Sequence, residues 1–146
     1  MKRCAVAIYL LFVAALCAAE APDAARVSGN TASAVTAANN TLIGDADRGR
    51  LVFGSCRTCH LPDKGAGNHN GPNLYAVFGR KAGTREGFLY YSDTLKKADF
   101  VWTPELLDLW LANPGTFLPD SAMIFVGIKD PQRRADLIEY LKTFHD

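Results

Sequence analysis

Apolar residues recur with helical spacing in several segments between positions 42 and 146. The clearest case follows Thr103-Pro104-Glu105, where an N-cap hydroxyl, a proline and an acid in the first turn mark a helix start. Four apolar residues form its predicted buried stripe: Leu106, Leu107, Trp110 and Leu111. Asn113-Pro114 marks its end, because proline disfavours helical backbone in the residue before it.

A first helix is predicted upstream of this one. Asp45 or Asp47 caps it, it runs to about Arg57, and Gly49 inside it indicates a close packing contact. Its apolar contacts are expected from Leu51, Val52 and Phe53. Residues 61–72, which follow, contain repeated Pro, Gly and Asn and are predicted to be loop.

Two more helices complete the pattern. A short one covers about 92–98, and Asp130-Pro131 starts a last one. On that last helix, three residues share one face: Leu137, Leu141 and Phe144. No segment shows sustained strand alternation, so the predicted fold class is all-α, with short helices joined by long loops.

The first 41 residues differ in composition from the rest. Residues 1–19 have a basic start, an apolar stretch and small residues at the end, which predicts a secretory signal peptide cleaved after Ala19. A lipoprotein signal lipidated at Cys17 and an uncleaved anchor are the alternatives. Residues 20–41 are predicted to be a flexible linker and 42–146 the folded domain. We therefore expect a periplasmic protein, either free or tethered to the periplasmic face of the inner membrane.

Charge and cysteine content narrow the function. The formal net charge of the chain is +1, and residues 42–146 carry 13 Lys plus Arg and 13 Asp plus Glu, hence 13 − 13 = 0. Bulk charge therefore indicates neither a nucleic acid nor an acidic polymer as partner. Cys4 and Cys17 lie in the N-terminal apolar run, so only Cys56 and Cys59 remain downstream, and no disulfide framework is indicated.

Cys56-Arg57-Thr58-Cys59-His60 is the strongest functional signal, because it has the C-x-x-C-H pattern of c-type haem attachment. The spacing puts both thiols within reach of two vinyl groups on one porphyrin edge, with the histidine under the iron as proximal ligand. Zinc would need a second ligand pair, which His69 and His145 do not form, and a thioredoxin-like dithiol would not need the histidine. A haem also makes the long loops acceptable, because it supplies a large apolar core.

Met123 is the predicted sixth ligand. It is the only methionine besides Met1, and it follows Pro119 in a loop. A thioether favours reduced iron and raises the potential, as in electron-carrying cytochromes. His69, in a Gly/Asn loop, and His145, at the C-terminus, are expected to be surface residues.

Further segments match a known family in the family's own order. They are Gly44-Asp45, Gly49, Phe53, Cys56–His60, Gly71–Leu74, Phe78–Gly83, Gly87-Phe88, Tyr90, Trp102, Asn113-Pro114, Met123–Phe125, Gly127–Lys129 and Ala135–Leu141. With this set, the chain from Gly44 to about Phe144 resembles the class I cytochromes c. The resemblance implies the all-α cytochrome c fold, with short helices and long loops wrapped around one covalently bound haem.

The resemblance also implies roles for individual residues. Cys56 and Cys59 would form the thioether bonds, His60 and Met123 would be the axial ligands, and the Pro72 carbonyl would accept the proton on the far nitrogen of the histidine. Three residues match those that hydrogen-bond or offset the charge of a buried haem propionate: Arg80, Tyr90 and Trp102.

Departures from the family pattern concern the iron ligand and the docking surface. Trp110 stands where close relatives usually have a tyrosine that reaches the methionine sulfur, and Asp120-Ser121-Ala122 replaces the usual Gly-Thr-Lys. Several positions lack the lysines that steer the mitochondrial proteins to acidic partners: Ser55, His69, Gly115, Thr116 and Ala122. Lys129 is retained.

The function implied is that of a monomeric single-electron carrier between redox protein donors and acceptors, with docking that depends less on lysine than in mitochondrial relatives. An enzyme is not expected. The alternative is a small haem peroxidase or ligand-binding haem protein, which requires Met123 to be labile.

Overall fold

The structure, a computed structural model, describes residues 42–146, so the predicted signal peptide (1–19) and linker (20–41) lie outside the described residues. Five helices lie in the described part: α1 (Ala46–Phe53), α2 (Asp93–Lys97), α3 (Pro104–Ala112), α4 (Pro114–Phe117) and α5 (Pro131–Lys142). Within residues 42–146 there is no strand, and one isolated antiparallel bridge joins Lys81 and Val101. None of the helices in this range has the length and apolar character needed to cross a membrane. The predicted all-α class is confirmed.

Side-chain caps determine where the helices begin. Each cap accepts a hydrogen bond from a backbone amide two or three residues further on, and the caps are Asp45, Ser92, Thr103, Asn113 and Asp130. Proline occupies the first turn of α3, α4 and α5, where its missing N–H costs nothing. The sequence did not distinguish between Asp45 and Asp47 as the cap of α1. In the structure Asp45 is the cap, because its side chain accepts a hydrogen bond from the Arg48 amide.

Two helix boundaries differ from the sequence prediction. Helix α1 ends at Phe53 and not near Arg57, because the chain tightens into turns there: the amides of Cys56 and Arg57 both donate to the Phe53 carbonyl, at 2.8 and 3.1 Å. Helix α4 was not predicted. It forms because Asn113, which ends α3, also caps a new turn through the amide of Thr116.

Helix α1 crosses α5 at Gly49. A Cβ atom at this position would lie 2.7 Å from Tyr140 Cβ, so only glycine allows the two helices to approach this closely. Phe53 then packs on Tyr140 with ring centroids 5.4 Å apart. The predicted close contact at Gly49 is confirmed, whereas Leu51 is 71% exposed and contributes little to the crossing.

A buried carboxylate fastens the start of α1 to α5. Asp136 Oδ1 accepts from the amide of Asp45 (2.9 Å), from Arg48 Nη2 (2.8 Å) and from Gln132 Nε2 (2.9 Å), and its Oδ2 accepts from Arg48 Nε (2.8 Å). These bonds hold the pKa of Asp136 at about 2, with the Arg48 bond the largest cause. The crossing is therefore held by packing and by a satisfied buried charge together.

The apolar core lies between α1, α3 and α5. Its buried members on α3 are Leu107, Trp110 and Leu111, and those on α5 are Leu137, Ile138, Tyr140 and Leu141. Leu106 and Phe144, both predicted to be core residues, are half-buried and pack at the edge. Because these helices are short, their side chains surround an internal space without filling it.

Candidate haem site

The internal space is a cavity of about 440 Å³, which is in the range of small-molecule and cofactor pockets. Every site residue predicted from the sequence lines it: Cys56, Cys59, His60, Pro72, Arg80, Tyr90, Trp102, Trp110 and Met123. These residues come from loops and helices up to 67 positions apart, since 123 − 56 = 67. The fold thus brings the whole predicted set to one place.

The turns after α1 present the Cys-x-x-Cys-His motif. The amides of Cys59 and His60 both donate to the Cys56 carbonyl, at 3.0 and 2.9 Å, which sets the two cysteines one turn apart. Within residues 42–146 neither cysteine forms a disulfide; Cys56 is half-buried and Cys59 exposed. Burial raises the pKa of the Cys56 thiol. Two thiols on one wall of an apolar cavity are suited to bond a ligand edge there.

The His60 ring is fixed by the loop that follows the motif. Its Nδ1 lies 2.7 Å from the carbonyl oxygen of Pro72, and because a carbonyl only accepts, Nδ1 carries the proton and Nε2 keeps its lone pair. Gly71 permits this seat, since a Cβ there would lie 2.7 Å from Nδ1. Burial lowers the pKa of His60, although the Pro72 bond opposes that shift. The result is a neutral, oriented imidazole, the form that binds metal.

Asn73 organises this loop, although it was not among the predicted site residues. Its side chain is fully buried; Nδ2 donates to the Asp63 carbonyl (3.0 Å), and Oδ1 accepts from the Tyr75 amide (2.7 Å). Arg80 ties the loop to the next segment by donating to the carbonyls of Asn73 and Tyr75, at 3.2 and 3.1 Å. The residue types alone do not predict this network, because the sequence does not distinguish a buried asparagine from an exposed asparagine in a turn.

An aromatic wall closes another side of the cavity. Trp102 and Trp110 are both buried, and their ring centroids are 5.8 Å apart in an edge-to-face arrangement. Phe100 packs on Trp102 at 4.9 Å, and Phe117 on Trp110 at 6.1 Å. Such a wall offers a large apolar surface for a flat ring.

Met123 lies half-buried in the irregular segment between α4 and α5. Its amide donates to Ser121 Oγ at 3.2 Å. Further on, the segment is held to the core, because the Ile128 amide donates to the Leu111 carbonyl (2.7 Å) and Arg134 donates to the Ile128 carbonyl (2.9 Å). The thioether is thus carried by a loop whose far end is anchored on α3 and α5.

Two consecutive tyrosines, Tyr90 and Tyr91, line the cavity. Tyr90, the predicted propionate partner, borders the cavity but is 77% exposed. Tyr91 is half-buried at the cavity, and its hydroxyl oxygen accepts a hydrogen bond from the Arg85 amide at 3.2 Å. Burial raises the pKa of Tyr91, and the nearby charges of Arg80 and Arg85 oppose that rise. Tyr91 is therefore a second candidate for this role beside the predicted Tyr90, since both line the cavity.

Comparisons with known proteins agree with this site. No family model matches the chain. Cytochrome c from Chlamydomonas reinhardtii is 45% identical over 100 residues, which cover 68% of this chain and 88% of that protein. Cytochrome c2 from Blastochloris viridis is 44% identical over 101 residues, with 69% and 79% covered. The solved structure of cytochrome cH from Methylobacterium extorquens has a TM-score of 0.63 and 42% identity, covering 68% of this chain and 99% of that one.

The fold, the cavity and these relatives define a small all-α haem protein that transfers electrons. The chain belongs to the class I cytochromes c. Members of this family carry covalently attached haem c with iron, and so does this chain. The residues present fit that group, since the cavity joins two cysteine thiols, a neutral histidine, flat apolar walls and the half-buried guanidinium of Arg80.

Proposed function

We propose that this chain carries single electrons between redox proteins by means of a haem bonded to Cys56 and Cys59, with His60 and Met123 as axial ligands. The observation that carries this proposal is the sharing of one cavity by the Cys-x-x-Cys-His turn and the loop methionine. Bound haem iron supplies the one-electron chemistry. His60 and Met123 would hold the iron through protein side chains in both oxidation states, so that little of the protein would need to reorganise when an electron moves.

The surrounding residues set the properties of this centre. The Pro72 carbonyl holds His60 in the tautomer that binds iron and makes it a stronger donor. Trp110, buried in the aromatic wall, leaves the methionine sulfur without the tyrosine hydroxyl common in close relatives. Arg80, Tyr90 and Trp102 serve a haem propionate, and Tyr91 lies on the same cavity beside them.

Partner docking uses the surface beside Met123. Ile124 and Val126 are exposed at 104% and 87%, and Ala122 and Asp120 next to them are also exposed. No lysine stands between Pro119 and Ile128. This supports a contact surface in which apolar burial contributes more, and lysine charge less, than in mitochondrial relatives.

The remaining organisation is also part of the proposal. Residues 1–19 act as a signal peptide that exports the chain to the periplasm, 20–41 form a linker, and 42–146 work as a monomeric carrier. An uncleaved N-terminus would make the same domain a carrier tethered to the inner membrane. The mass of the mature chain distinguishes the two forms.

Haem attachment is tested by extraction of the purified protein with acidified acetone, which removes haem that is not covalently bound. We expect the wild type to keep its haem, the double variant Cys56→Ala/Cys59→Ala to lose it, and His69→Ala, a matched change at an exposed histidine, to keep it. Release of haem from the wild type would refute the attachment sites.

A further inference from the structure

Arg85 is an arginine without an evident protein partner for its charge. Its Nε is buried and has no hydrogen-bond partner in the described part of the chain. Two other arginines in this part are paired with carboxylates: Arg48 with Asp136 at 2.8 Å and Arg134 with Asp108 at 2.7 Å. A buried guanidinium nitrogen without a partner is costly, so a ligand group is expected to complete it.

A second cation lies close to Arg85. Arg80 is half-buried on the cavity wall and donates only to the carbonyls of Asn73 and Tyr75. Burial lowers the pKa of Arg80, and the charge of Arg85 lowers it further. Two like charges in a half-buried place repel each other, and among residues 42–146 neither arginine forms an ion pair that would offset this.

Tyr91 connects the two arginines to the cavity. Its hydroxyl oxygen accepts from the Arg85 amide at 3.2 Å, so its own proton is free to be donated elsewhere. Tyr91 and Arg80 both line the cavity. Tyr91 and Arg80 therefore offer a phenol donor and a guanidinium at the cavity wall, and the charge of Arg85 acts on both from behind that wall. A phenol donor and guanidinium charge are the chemistry that binds a carboxylate.

We infer that Arg85 is a second cation for the carboxylate of the bound haem, set behind Tyr91 and next to Arg80. This inference rests on the proposed haem-carrying function. Haem brings carboxylates into an otherwise apolar cavity, and an ionised carboxylate there needs opposite charge. Arg85 supplies charge through its side chain and positions Tyr91 through its amide. Because oxidised haem has one more positive charge than reduced haem, a nearby buried cation raises the reduction potential.

The test compares Arg85→Gln, Arg85→Lys and the control Arg133→Gln, which removes the same charge from an exposed position on α5. We expect Arg85→Gln to lower the midpoint potential, Arg85→Lys to restore most of the loss, and Arg133→Gln to have little effect. The loss for Arg85→Gln should be less sensitive to salt than the effect of an exposed charge, because Arg85 is half-buried and a partly buried charge is screened less.

A second readout addresses the carboxylate itself. With the haem carboxylates labelled by ¹³C, redox-induced infrared difference spectra should show a shifted carboxylate band in Arg85→Gln and an unchanged band in Arg133→Gln. If covalent haem is present and Arg85→Gln matches the wild type in potential and in this band, the inference is overturned while the carrier function stands. If the wild type carries no covalent haem, the proposed function itself fails.

Discussion

His60 shows how a single residue is prepared for its chemistry. The C-x-x-C-H pattern identifies the histidine, but its state depends on the Pro72 carbonyl 2.7 Å from Nδ1 and on the space that Gly71 leaves for the ring. The carbonyl fixes the proton on one nitrogen and leaves the other free for iron. The motif could be read from the sequence because its spacing is set by covalent chemistry.

Tyr90 and Tyr91 show what the sequence pattern does not resolve. Both are tyrosines and both line the cavity, so where each hydroxyl lies required the fold. The hydroxyl of Tyr91 is bonded to the Arg85 amide, a contact that no local pattern predicted.

Removing each tyrosine hydroxyl in turn tests the hydrogen bond between Tyr91 and the Arg85 amide. Tyr91→Phe leaves the Arg85 amide without its partner, so we expect the free energy of unfolding of the haem-loaded protein to fall by about 1 kcal/mol. Tyr90→Phe, the matched control, should change it by less than about 0.5 kcal/mol. Denaturant unfolding measures both. A larger loss of stability for Tyr90→Phe than for Tyr91→Phe would contradict the stabilising role of the Tyr91 hydroxyl.

Among the elements, helix starts were predicted better than helix ends. Caps such as Thr103 act on amides within one turn, so a local pattern identifies them. The end of α1 depends on how the Cys-x-x-Cys-His turns fold back under the cavity, and its local mark is Gly54, the C-cap directly after Phe53, which the prediction of a helix to about Arg57 did not use. The contact between Gly49 and α5 could be predicted in part. A glycine inside a helix indicates that another segment packs closely there, but it does not identify that segment.

Gly49→Ala tests the crossing of α1 and α5. Because the new Cβ would overlap the backbone of Asp136 and the Tyr140 side chain, we expect a loss of about 2–3 kcal/mol in the free energy of unfolding. Gly115→Ala in α4 is the control, since the nearest atom to its Cβ would be 3.8 Å away. Equal stability of the two variants in denaturant unfolding would show that the crossing is not tight.

Asp136 gives the same crossing a pH dependence. Its pKa is lowered to about 2 from an ordinary value of 3.8, so its stabilising contribution is present above pH 4 and is lost as the pH falls towards 2. Asp136→Asn lacks this titration and loses the paired charge, so we expect it to be about 3 kcal/mol less stable at neutral pH. The difference from wild type should shrink between pH 4 and pH 2 in urea unfolding. A constant difference would contradict the assigned cause.

At the scale of the whole molecule, net charge and exposed apolar surface bear on the proposed association with a redox partner. The described domain has no net charge before haem is added, 13 − 13 = 0, and Ile124 and Val126 stand exposed beside the methionine loop. For the proposed docking surface we therefore expect weak long-range steering and a contact that depends on short-range complementarity. Composition revealed the charge balance directly, whereas the exposure of these side chains required the fold.

Association kinetics test this account of docking. With a redox partner whose surface is acidic, we expect the association rate constant to fall by less than about threefold from low to physiological ionic strength. Ala122→Lys restores a lysine at an exposed position beside Met123, and it should steepen the salt dependence. A steep dependence already present in the wild type would refute the reduced role of charge.

The central claim is that His60 and Met123 hold the haem iron of an electron carrier. The most direct measurement is the absorption spectrum of the purified oxidised protein, extended to the weak far-red band that a thioether–iron bond produces. The account predicts this band at neutral pH, its loss in Met123→Ala, and no spectral change when carbon monoxide is added to the reduced wild type. Absence of the band, with carbon monoxide binding to the reduced wild type, would show an open sixth position and contradict the carrier function.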